Sequence, residues 1–335
     1  MSKKILVIGA TGAMGIYLVP ELIQKGYQVD ALSLDDMTSD HPMLTYIKGD
    51  GKDIPFLESL LKNKYDAIVD FLVYFSPEEF RRYDKLYLEN TEHYIFLSTY
   101  RVYADSQTPI TEASPRLLDT ETDEAFLNSG DYSIYKAQEE EVLKASGYRN
   151  WSIVRPAITY SSNRFQLVTL EANTVVYRLL TGKTVVLPEE AMDKQATMSW
   201  AGDLAKMFSA IILNPEAYGE AYTFATAEHH TWREVAEIYR EIGNLKYVTV
   251  NMEDYLNIIG PGNIHIRQQL TYDRCFDRVV DNSKVLKVAG LKQSDLMPLK
   301  DGLKAELAKI RLEDLKHTQP VNDRMDQYLA DQGIV

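Results

Sequence analysis

The sequence predicts an α/β fold with a doubly wound parallel sheet, followed by a smaller mixed α/β part. Three observations lead to it. Apolar runs of strand length alternate with amphipathic runs of helical period over roughly the first 160 residues. The first run, KKILVIG, is continuously apolar, which is typical of a strand buried on both faces of a parallel sheet. A glycine-rich turn, GATGAMG, joins this strand to the first helix.

The remaining elements of this part follow in regular alternation. Further strands are predicted at YQVDALSL, LTYIKGD, YDAIVDFLVYF, HYIFLST and NWSIVRPAITY. Helices are predicted at MGIYLVPELIQKG, PFLESLLKNK, SPEEFRRYDKLYLEN and DYSIYKAQEEE. Gly26 is a C-cap signal for the first helix, and Ser76 before Pro77 is an N-cap signal for the third.

The pattern becomes irregular after residue 160. Helices are predicted at WAGDLAKMFSAIILN, TWREVAEIYREIG and MPLKDGLKAELAKIRLEDLKH, strands at EAYTFAT and KYVTVN, and a polar tail at the end. We therefore predict a dinucleotide-binding domain over 1–160 and a smaller substrate-binding domain over 161–335, and leave open whether the two are interleaved.

Composition narrows the class of protein. The 335 residues are 45% hydrophobic and 25% charged, as in ordinary globular proteins. The net charge of −13 and the absence of a dense Lys/Arg run disfavour nucleic acid as a partner. Cys275 is the only cysteine, which excludes an internal disulfide, and the N-terminal apolar run is too short for a signal peptide or membrane span. We expect a cytoplasmic protein.

No metal site is predicted. His229 and His230 are adjacent and point in different directions, and no third ligand stands at metal-binding spacing. Surface histidines are the simpler interpretation.

Gly9, Gly12 and Gly15 have GxxGxxG spacing between the first strand and the first helix. Glycine allows a tight turn and a close approach of the backbone to a pyrophosphate, which the helix N-terminus then attracts. The alternative is an incidental strand-to-helix turn. The order of strand, turn and helix favours a Rossmann-type dinucleotide site.

Tyr132 and Lys136 lie at i and i+4, on one face of a predicted helix. An ammonium near a phenol favours the phenolate, so Tyr132 could accept a proton from a substrate hydroxyl. Tyr135 faces elsewhere. Ser98 and Thr99 end a buried strand at its carboxyl edge, where ligands bind in such sheets. Each feature has an ordinary alternative, a solvated helix pair or a turn-capping hydroxyl.

Several motifs in this order give the chain a family resemblance. They are GxxGxxG at 9–15, Gly49–Asp50, LSTYRVY at 97–103, YxxxK at 132–136, RPAITY at 155–160, WAGDLA at 200–205 and DNSKVLKVAGLK near the end. The chain resembles the extended short-chain dehydrogenase/reductases, also called the NAD-dependent epimerase/dehydratase family. Its IKGDGKD, YDAIVDF and IFLSTYRVY segments are also similar to an atypical branch that includes plant chloroplast stem-loop-binding proteins.

The resemblance implies roles for named residues. Tyr132 would be the catalytic acid/base, Lys136 its activator, and Thr99 or Ser98 the hydroxyl partner. Substrate would contact Thr99, Tyr100 and Arg274, the last through a diphosphate. The residues implied in binding NAD, or NADP, are Gly9, Thr11, Gly12, Ala13, Met14, Gly15, Ser33, Asp50, Gly51, Phe71, Leu72, Val73, Tyr132, Lys136, Pro156 and Ile158.

Three of the chain's departures from the family pattern bear on its groove, its cofactor and its reaction. The fourth strand reads DFLVYF where small residues are usual, which would narrow the groove around Leu72 and Val73. The second strand ends at Ser33, with Asp35 and Asp36 nearby and no arginine for a 2′-phosphate, which favours NAD. Tyr100 and Arg101 occupy the places of the Asp-Glu pair of sugar-nucleotide 4,6-dehydratases, which disfavours dehydration.

The functional prediction is an NAD-dependent epimerase of a sugar nucleotide or related hydroxylated substrate, acting by transient oxidation and re-reduction. Alternatives are an NAD(P)-dependent reductase or dehydrogenase, and a non-catalytic dinucleotide-binding regulatory or RNA-associated protein of the same fold. We expect a homodimer, because the helices at 77–90 and 132–145 correspond to those that pair in the family's dimers. Phe80, Tyr83 and Tyr87 would form a stripe there, or pack in the monomer core.

Overall fold

The computed structural model describes residues 2–315 and 319–334. The strands in this part of the chain are β1 (Lys4–Ile8), β2 (Gln28–Ser33), β3 (Leu44–Lys48), β4 (Tyr65–Asp70), β5 (Thr91–Leu97), β6 (Trp151–Pro156), β7 (Ile158–Tyr160), β8 (Gln166–Leu167), β9 (Leu170–Glu171), β10 (Thr184–Pro188), β11 (Gln195–Ala196), β12 (Met198–Trp200), β13 (Glu220–Phe224), β14 (His230–Thr231) and β15 (Lys246–Val250).

The helices in the same residues are α1 (Gly15–Gln24), α2 (Ile54–Leu61), α3 (Pro77–Phe80), α4 (Asp84–Leu88), α5 (Leu117–Thr120), α6 (Glu124–Leu127), α7 (Tyr132–Lys144), α8 (Ala172–Leu180), α9 (Glu189–Met192), α10 (Ala201–Ile211), α11 (Trp232–Gly243), α12 (Met252–Ile259), α13 (Ile264–Gln269), α14 (Ser283–Ala289), α15 (Leu299–Leu307) and α16 (Gln319–Asp331).

A seven-stranded sheet lies at the centre, in the order β13-β6-β5-β4-β1-β2-β3, and every neighbouring pair in it is parallel. The strand order reverses at β1, which lies between β2 and β4. Ile8 is level with Leu32 on one side and Asp70 on the other, so three strands end together there. Open α/β sheets bind ligands at this kind of switch point. The predicted Rossmann-type fold class is confirmed.

The seventh strand comes from a late segment. β13 pairs along its length with β6, from Glu220 opposite Ser152 to Phe224 opposite Pro156. Helix α10, also late in the chain, packs on α1. The part after residue 160 therefore completes the central sheet, and small two-stranded pairs such as β10–β15 lie outside that sheet.

The predicted strand over YDAIVDFLVYF was too long, since β4 ends at Asp70. The buried Asp70 carboxylate accepts hydrogen bonds from the Leu72 amide at 2.9 Å and from the Tyr74 and Tyr94 hydroxyls, both at 2.8 Å. This side chain turns the backbone out of the sheet two residues later. The segment that follows, 71–75, is a loop in the structure.

The predicted helix after Ser76 is divided into α3 and α4. Ser76 does cap α3, because its hydroxyl accepts a hydrogen bond from the Glu79 amide at 3.1 Å. Phe80, Tyr83 and Tyr87 are buried in the core of the monomer, so packing in the core explains this stripe. The homodimer remains a prediction.

The predicted polar tail was wrong for the residues described at the end of the chain. Helix α16 places Met325 and Leu329, one turn apart, in the core. Arg324 on the same helix donates to the carbonyls of Ile258 and Ile259 at the end of α12. The apolar spacing of four residues is the signal that predicts this helix.

Within residues 2–315 and 319–334, we find no helix with both the length and the apolarity needed to cross a bilayer. The same residues contain no group of three His, Cys, Asp or Glu side chains placed to hold a metal ion.

Candidate functional site

A first cavity, of about 420 Å³, lies at the carboxyl ends of β1, β2 and β4. Most of the residues implied in cofactor binding meet here, although they come from four separate segments of the chain. The lining residues are Ile8, Gly9, Thr11, Gly12, Ala13, Met14, Gly15, Leu32, Ser33, Leu34, Asp35, Gly49, Asp50, Gly51, Phe71 and Leu72.

The glycine turn forms one wall of this first cavity. Gly9 has φ +80°, in the left-handed region that favours glycine. A Cβ at Gly15 would lie 2.3 Å from the carbonyl oxygen of Ala10, so α1 could not pack this closely on the turn with any other residue. No side chain caps the N-terminus of α1. The Ile16 and Tyr17 amides donate to the Gly12 and Met14 carbonyls, both at 3.2 Å, and the positive end of the helix dipole faces the cavity, where it would attract an anion.

Polar groups lie at the far end of the first cavity, after β2. The Thr11 hydroxyl is 2.6 Å from the Ser33 hydroxyl and donates to the Asp35 carboxylate at 2.6 Å. The Asp35 amide in turn donates to Ser33 Oγ at 3.0 Å. These three side chains place one carboxylate and two hydroxyls where the second strand ends. Asp36 instead pairs with Lys48 at 3.0 Å on the exposed side.

Asp50 and Gly51 form the floor below β3. Asp50 Oδ1 accepts a hydrogen bond from the Lys52 amide at 2.8 Å. A Cβ at Gly51 would lie 2.7 Å from Ile8 Cγ2, so glycine keeps this floor close to the end of β1.

A second cavity, of about 320 Å³, lies at the start of α7. Its walls are formed by Phe75, Arg101, Gly130, Asp131, Tyr132, Tyr135, His265, Ile266 and Gln269. The loop 71–75 borders both cavities, because Phe71 and Leu72 line the first and Phe75 lines the second. Tyr132 therefore lies on the second cavity, beyond this loop.

Tyr132 is the first residue of α7, and Asp131 caps that helix by accepting hydrogen bonds from the Ser133 amide at 2.8 Å and its hydroxyl at 2.6 Å. The Tyr132 ring contacts Tyr135 edge to face, with ring centroids 5.4 Å apart. The guanidinium carbon of Arg101 is also 5.4 Å from the centroid of the Tyr132 ring. Arg101 is thus a cation packed against the predicted catalytic phenol.

Lys136 has no exposed surface. Its Nζ is 2.9 Å from Glu139 Oε2 and 4.7 Å from the centroid of the Phe96 ring. Burial raises the pKa of Glu139 to about 7, against the opposing effect of Lys136, and the other oxygen of that carboxylate has no hydrogen-bond partner. The lysine predicted to activate Tyr132 is therefore held within the protein by a neighbouring acid.

The two hydroxyls at the end of β5 differ in their contacts. Ser98 donates to the buried Glu140 carboxylate at 2.6 Å, and Arg155 binds the same carboxylate. Thr99 Oγ1 accepts a hydrogen bond from the Arg101 amide at 3.2 Å, and its hydroxyl hydrogen has no acceptor among the residues that the structure describes. Of this pair, Thr99 has the hydroxyl hydrogen that is not used within the fold, and its side chain is buried and lines neither cavity.

Arg274, predicted to contact a substrate diphosphate, is buried, and burial lowers its pKa to about 10. Its guanidinium donates to the Val168 carbonyl at 2.8 Å and Gln166 Oε1 at 3.1 Å, and it contacts Asp273. These donors are used inside the protein in this structure. A role toward substrate remains a prediction.

The other predicted contact residues line neither cavity. Tyr100 is buried under the Arg278 guanidinium, whose carbon is 5.3 Å from the ring centroid. Within the described part of the chain, Val73, Pro156 and Ile158 are not among the residues that line either cavity. Their roles in cofactor binding also remain predictions.

Sequence reasoning missed several lining residues. Arg101 was noted only as a departure from a dehydratase motif, although its place two residues after Thr99 could have indicated a site residue. Asp35 was noted beside Ser33 and lines the first cavity. His265 and Gln269 lie on α13, and no local pattern in the sequence predicts their position on the second cavity.

The chain is similar to known proteins in sequence and in fold. The model of the NAD dependent epimerase/dehydratase family matches residues 5–225. The chloroplast stem-loop binding protein of 41 kDa b from Arabidopsis thaliana is 23% identical over 258 residues, which cover 72% of this chain and 63% of that protein. The match thus spans less than two thirds of the length of this curated relative.

Two solved structures share the fold. The epimerase Mth375 from Methanothermobacter thermautotrophicus is 16% identical, with a TM-score of 0.69 over 92% of this chain and 91% of that one. The dTDP-glucose 4,6-dehydratase of Bacillus anthracis, solved in complex with NAD, is 18% identical, with a TM-score of 0.66 over 92% and 96%.

Proposed function

Because the chain belongs to the NAD dependent epimerase/dehydratase family, we propose that it binds NAD in the first cavity and epimerises a sugar nucleotide at a hydroxyl-bearing carbon beside Tyr132. The observation that carries the proposal is the first cavity itself. It brings the glycine turn, the uncapped start of α1 and the Asp35 carboxylate to the switch point of the sheet. The substrate class follows the dTDP-glucose of the dehydratase named above.

The residues of the first cavity fit a dinucleotide. Gly9, Gly12 and Gly15 have no side chains to cover the backbone where a pyrophosphate would meet the N-terminus of α1. Asp35 and Ser33 would accept and donate hydrogen bonds to the adenosine ribose, and Asp50 would lie toward the adenine. The Asp35 carboxylate would repel a 2′-phosphate, which supports NAD over NADP.

NAD held by the residues of the first cavity would supply reversible hydride transfer at the substrate carbon, as oxidant in the first half of the reaction and as reductant in the second. Tyr132 would accept the hydroxyl proton in the first half of the reaction and return it in the second, so the proton stays on one phenol oxygen between the two halves. Thr99 would donate its hydroxyl hydrogen to the substrate oxygen and hold it near that phenol. Ser98 would act indirectly, by fixing Glu140 behind the end of β5.

Cofactor content and turnover together test the proposal. The purified chain is titrated with NAD and with NADP while intrinsic fluorescence is followed, and is then assayed for epimerisation of sugar nucleotides by separating the epimers. An epimerase regenerates its cofactor, so the 340 nm absorbance of NADH should not rise as product forms. Accumulating NADH would indicate a dehydrogenase, and failure to bind either dinucleotide would contradict the proposal.

One observation favours a second candidate, a non-catalytic dinucleotide-binding protein. Lys136, which would support Tyr132 and the ribose, is fully buried in an ion pair with Glu139. The relative with a stem-loop-binding name fits this candidate, whereas the net charge of −13 opposes contact with RNA. NAD binding without turnover of any sugar nucleotide would support it.

A further inference from the structure

We propose that Arg101 binds a carboxylate of the substrate next to the hydroxyl on which Tyr132 acts. The inference rests on the proposed function and narrows it to sugar nucleotides whose sugar bears an acid group. Arg101 would be a specificity-determining residue that touches the substrate. Its place in the wall of the second cavity, against the Tyr132 ring, is the starting observation.

The guanidinium of Arg101 makes only long contacts with its neighbours, although just 12% of its side chain is exposed. Its Nη2 is 3.5 Å from both oxygens of Asp131, and its Nε is 3.5 Å from Asp273 Oδ2 without forming a hydrogen bond. Charge-assisted hydrogen bonds of arginine usually measure about 2.7–2.9 Å. Arg101 therefore retains donor capacity that the protein does not use.

Arg101 retains unused donors because the neighbouring aspartates also bind other groups. Asp273 is fully buried and is bound more closely by two other arginines, with Arg278 Nε at 3.1 Å from Oδ1 and Arg274 in contact with Oδ2. Asp131 is occupied by capping α7. Asp131 and Asp273 are thus both shared with other groups, and each lies 3.5 Å from the Arg101 guanidinium. Arg101 lines the second cavity, whereas Arg274 and Arg278 line neither of the two cavities, so Arg101 is the arginine of the three that a ligand there could reach.

The rest of the second cavity suits an acidic sugar. His265 and Gln269 add possible hydrogen-bond donors, and both lie on the same wall-forming helix. Phe75, Tyr132 and Tyr135 provide aromatic surface for the sugar ring. A guanidinium binds a planar carboxylate through two parallel hydrogen bonds, which gives geometric selectivity as well as charge.

UDP-glucuronate and UDP-glucose are the matched probes, because they share base, ribose and diphosphate and differ in a carboxylate. Their dissociation constants are measured calorimetrically on the full chain in saturating NAD. We expect the wild type to bind UDP-glucuronate at least about tenfold more tightly. Arg101→Gln should abolish that preference with little change for UDP-glucose, and Arg101→Lys should retain part of it.

Arg81→Gln is the charge-matched control, since Arg81 is exposed and lines neither cavity, and its preference should equal that of the wild type. An equal loss for both ligands in Arg101→Gln would assign Arg101 to the shared diphosphate and overturn the proposal. A wild type without the preference, including one that binds neither ligand, would overturn it without any variant. The wild-type comparison needs no variant, so it can overturn the proposal even if Arg101→Gln does not fold.

The binding preference is separable from the proposed function. A chain that prefers UDP-glucuronate and loses the preference in Arg101→Gln, yet turns over no sugar nucleotide, would keep the inference on Arg101 and reject the epimerase. A chain that epimerises UDP-glucose and shows no preference would do the reverse.

Discussion

The Arg101 guanidinium packs on the ring of Tyr132, 5.4 Å from its centroid, whereas Lys136, one turn further along α7, pairs with Glu139. The sequence thus predicts Lys136 as the cation beside the Tyr132 phenol, whereas in the structure that cation is Arg101. Proposals about the chemistry of Tyr132 must therefore include Arg101.

Replacing Tyr132 with Phe tests the acid/base role. The variant loses the phenol oxygen but keeps the ring that packs against Arg101 and Tyr135. We expect kcat to fall by about 10²–10⁴-fold, the usual contribution of a positioned acid/base, with NAD affinity unchanged. Tyr135→Phe, on the same cavity, is the control and should keep most of the activity. An unchanged kcat in Tyr132→Phe would refute the assignment.

Cofactor preference depends on Asp35. In Asp35→Asn the carboxylate that faces the first cavity is neutral, so the repulsion of a 2′-phosphate is removed. The ratio of the NADP to the NAD dissociation constant should fall by roughly tenfold. Asp36→Asn removes the same charge from an exposed pair with Lys48 and should leave the ratio as it is. Equal ratios in the two variants would contradict the role of Asp35.

Gly15→Ala tests how closely α1 approaches the glycine turn. The new Cβ would lie 2.3 Å from a backbone oxygen that cannot rotate away, so we expect about 1–3 kcal/mol of destabilisation and loss of NAD binding. Gly147→Ala has open space around its Cβ and a φ of +81°, so it costs about 1–2 kcal/mol through the backbone alone. Urea unfolding and NAD titration of both variants separate the two effects. NAD binding that survives in Gly15→Ala would show that the turn can relax.

The buried Glu139 gives stability a pH dependence. Its pKa is raised from 4.5 to about 7 in the folded protein, so between these values the folded state holds a proton that the unfolded chain has released. This contribution to the free energy of unfolding is present below about pH 4.5 and is lost as the pH rises through about 7. Glu139→Gln should reduce the difference in that free energy between pH 5 and pH 7.5 by roughly 1–3 kcal/mol.

Denaturant unfolding at the two pH values measures this difference. The absolute stability of Glu139→Gln is not the criterion, because the variant leaves the Lys136 ammonium without its acid. Glu141→Gln, on the exposed side of the same helix, should retain the wild-type difference. The idea fails if the two variants behave alike.

The sequence predicted the central sheet well because each buried strand has a local apolar pattern, and GATGAMG lies between the first strand and helix as expected. It failed where one side chain overrides that pattern, as at Asp70, which ends β4 before the apolar FLVYF. Lys136 is buried in a pair with Glu139 rather than exposed to solvent, and this also depends on Phe96, which contacts it from a distant segment. Long-range contacts of this kind leave no local trace.

Most of the lining of the first cavity could be located from the sequence because each contributing segment follows or ends a strand at the same edge of the sheet. The second cavity could not, since α13 reaches it from a part of the chain with no regular alternation. His265 and Gln269 therefore appear only in the structure.

The position of β13 beside β6 has a consequence for biosynthesis. A ribosome must translate through Phe224 before the sheet can acquire its outermost strand, and until then the fully buried edge formed by Trp151–Pro156 stays open to other chains. A recombinant fragment that stops near residue 160 would expose that unpaired strand edge permanently. Expression of this protein in halves should thus give inclusion bodies from the N-terminal half rather than an independent nucleotide-binding module.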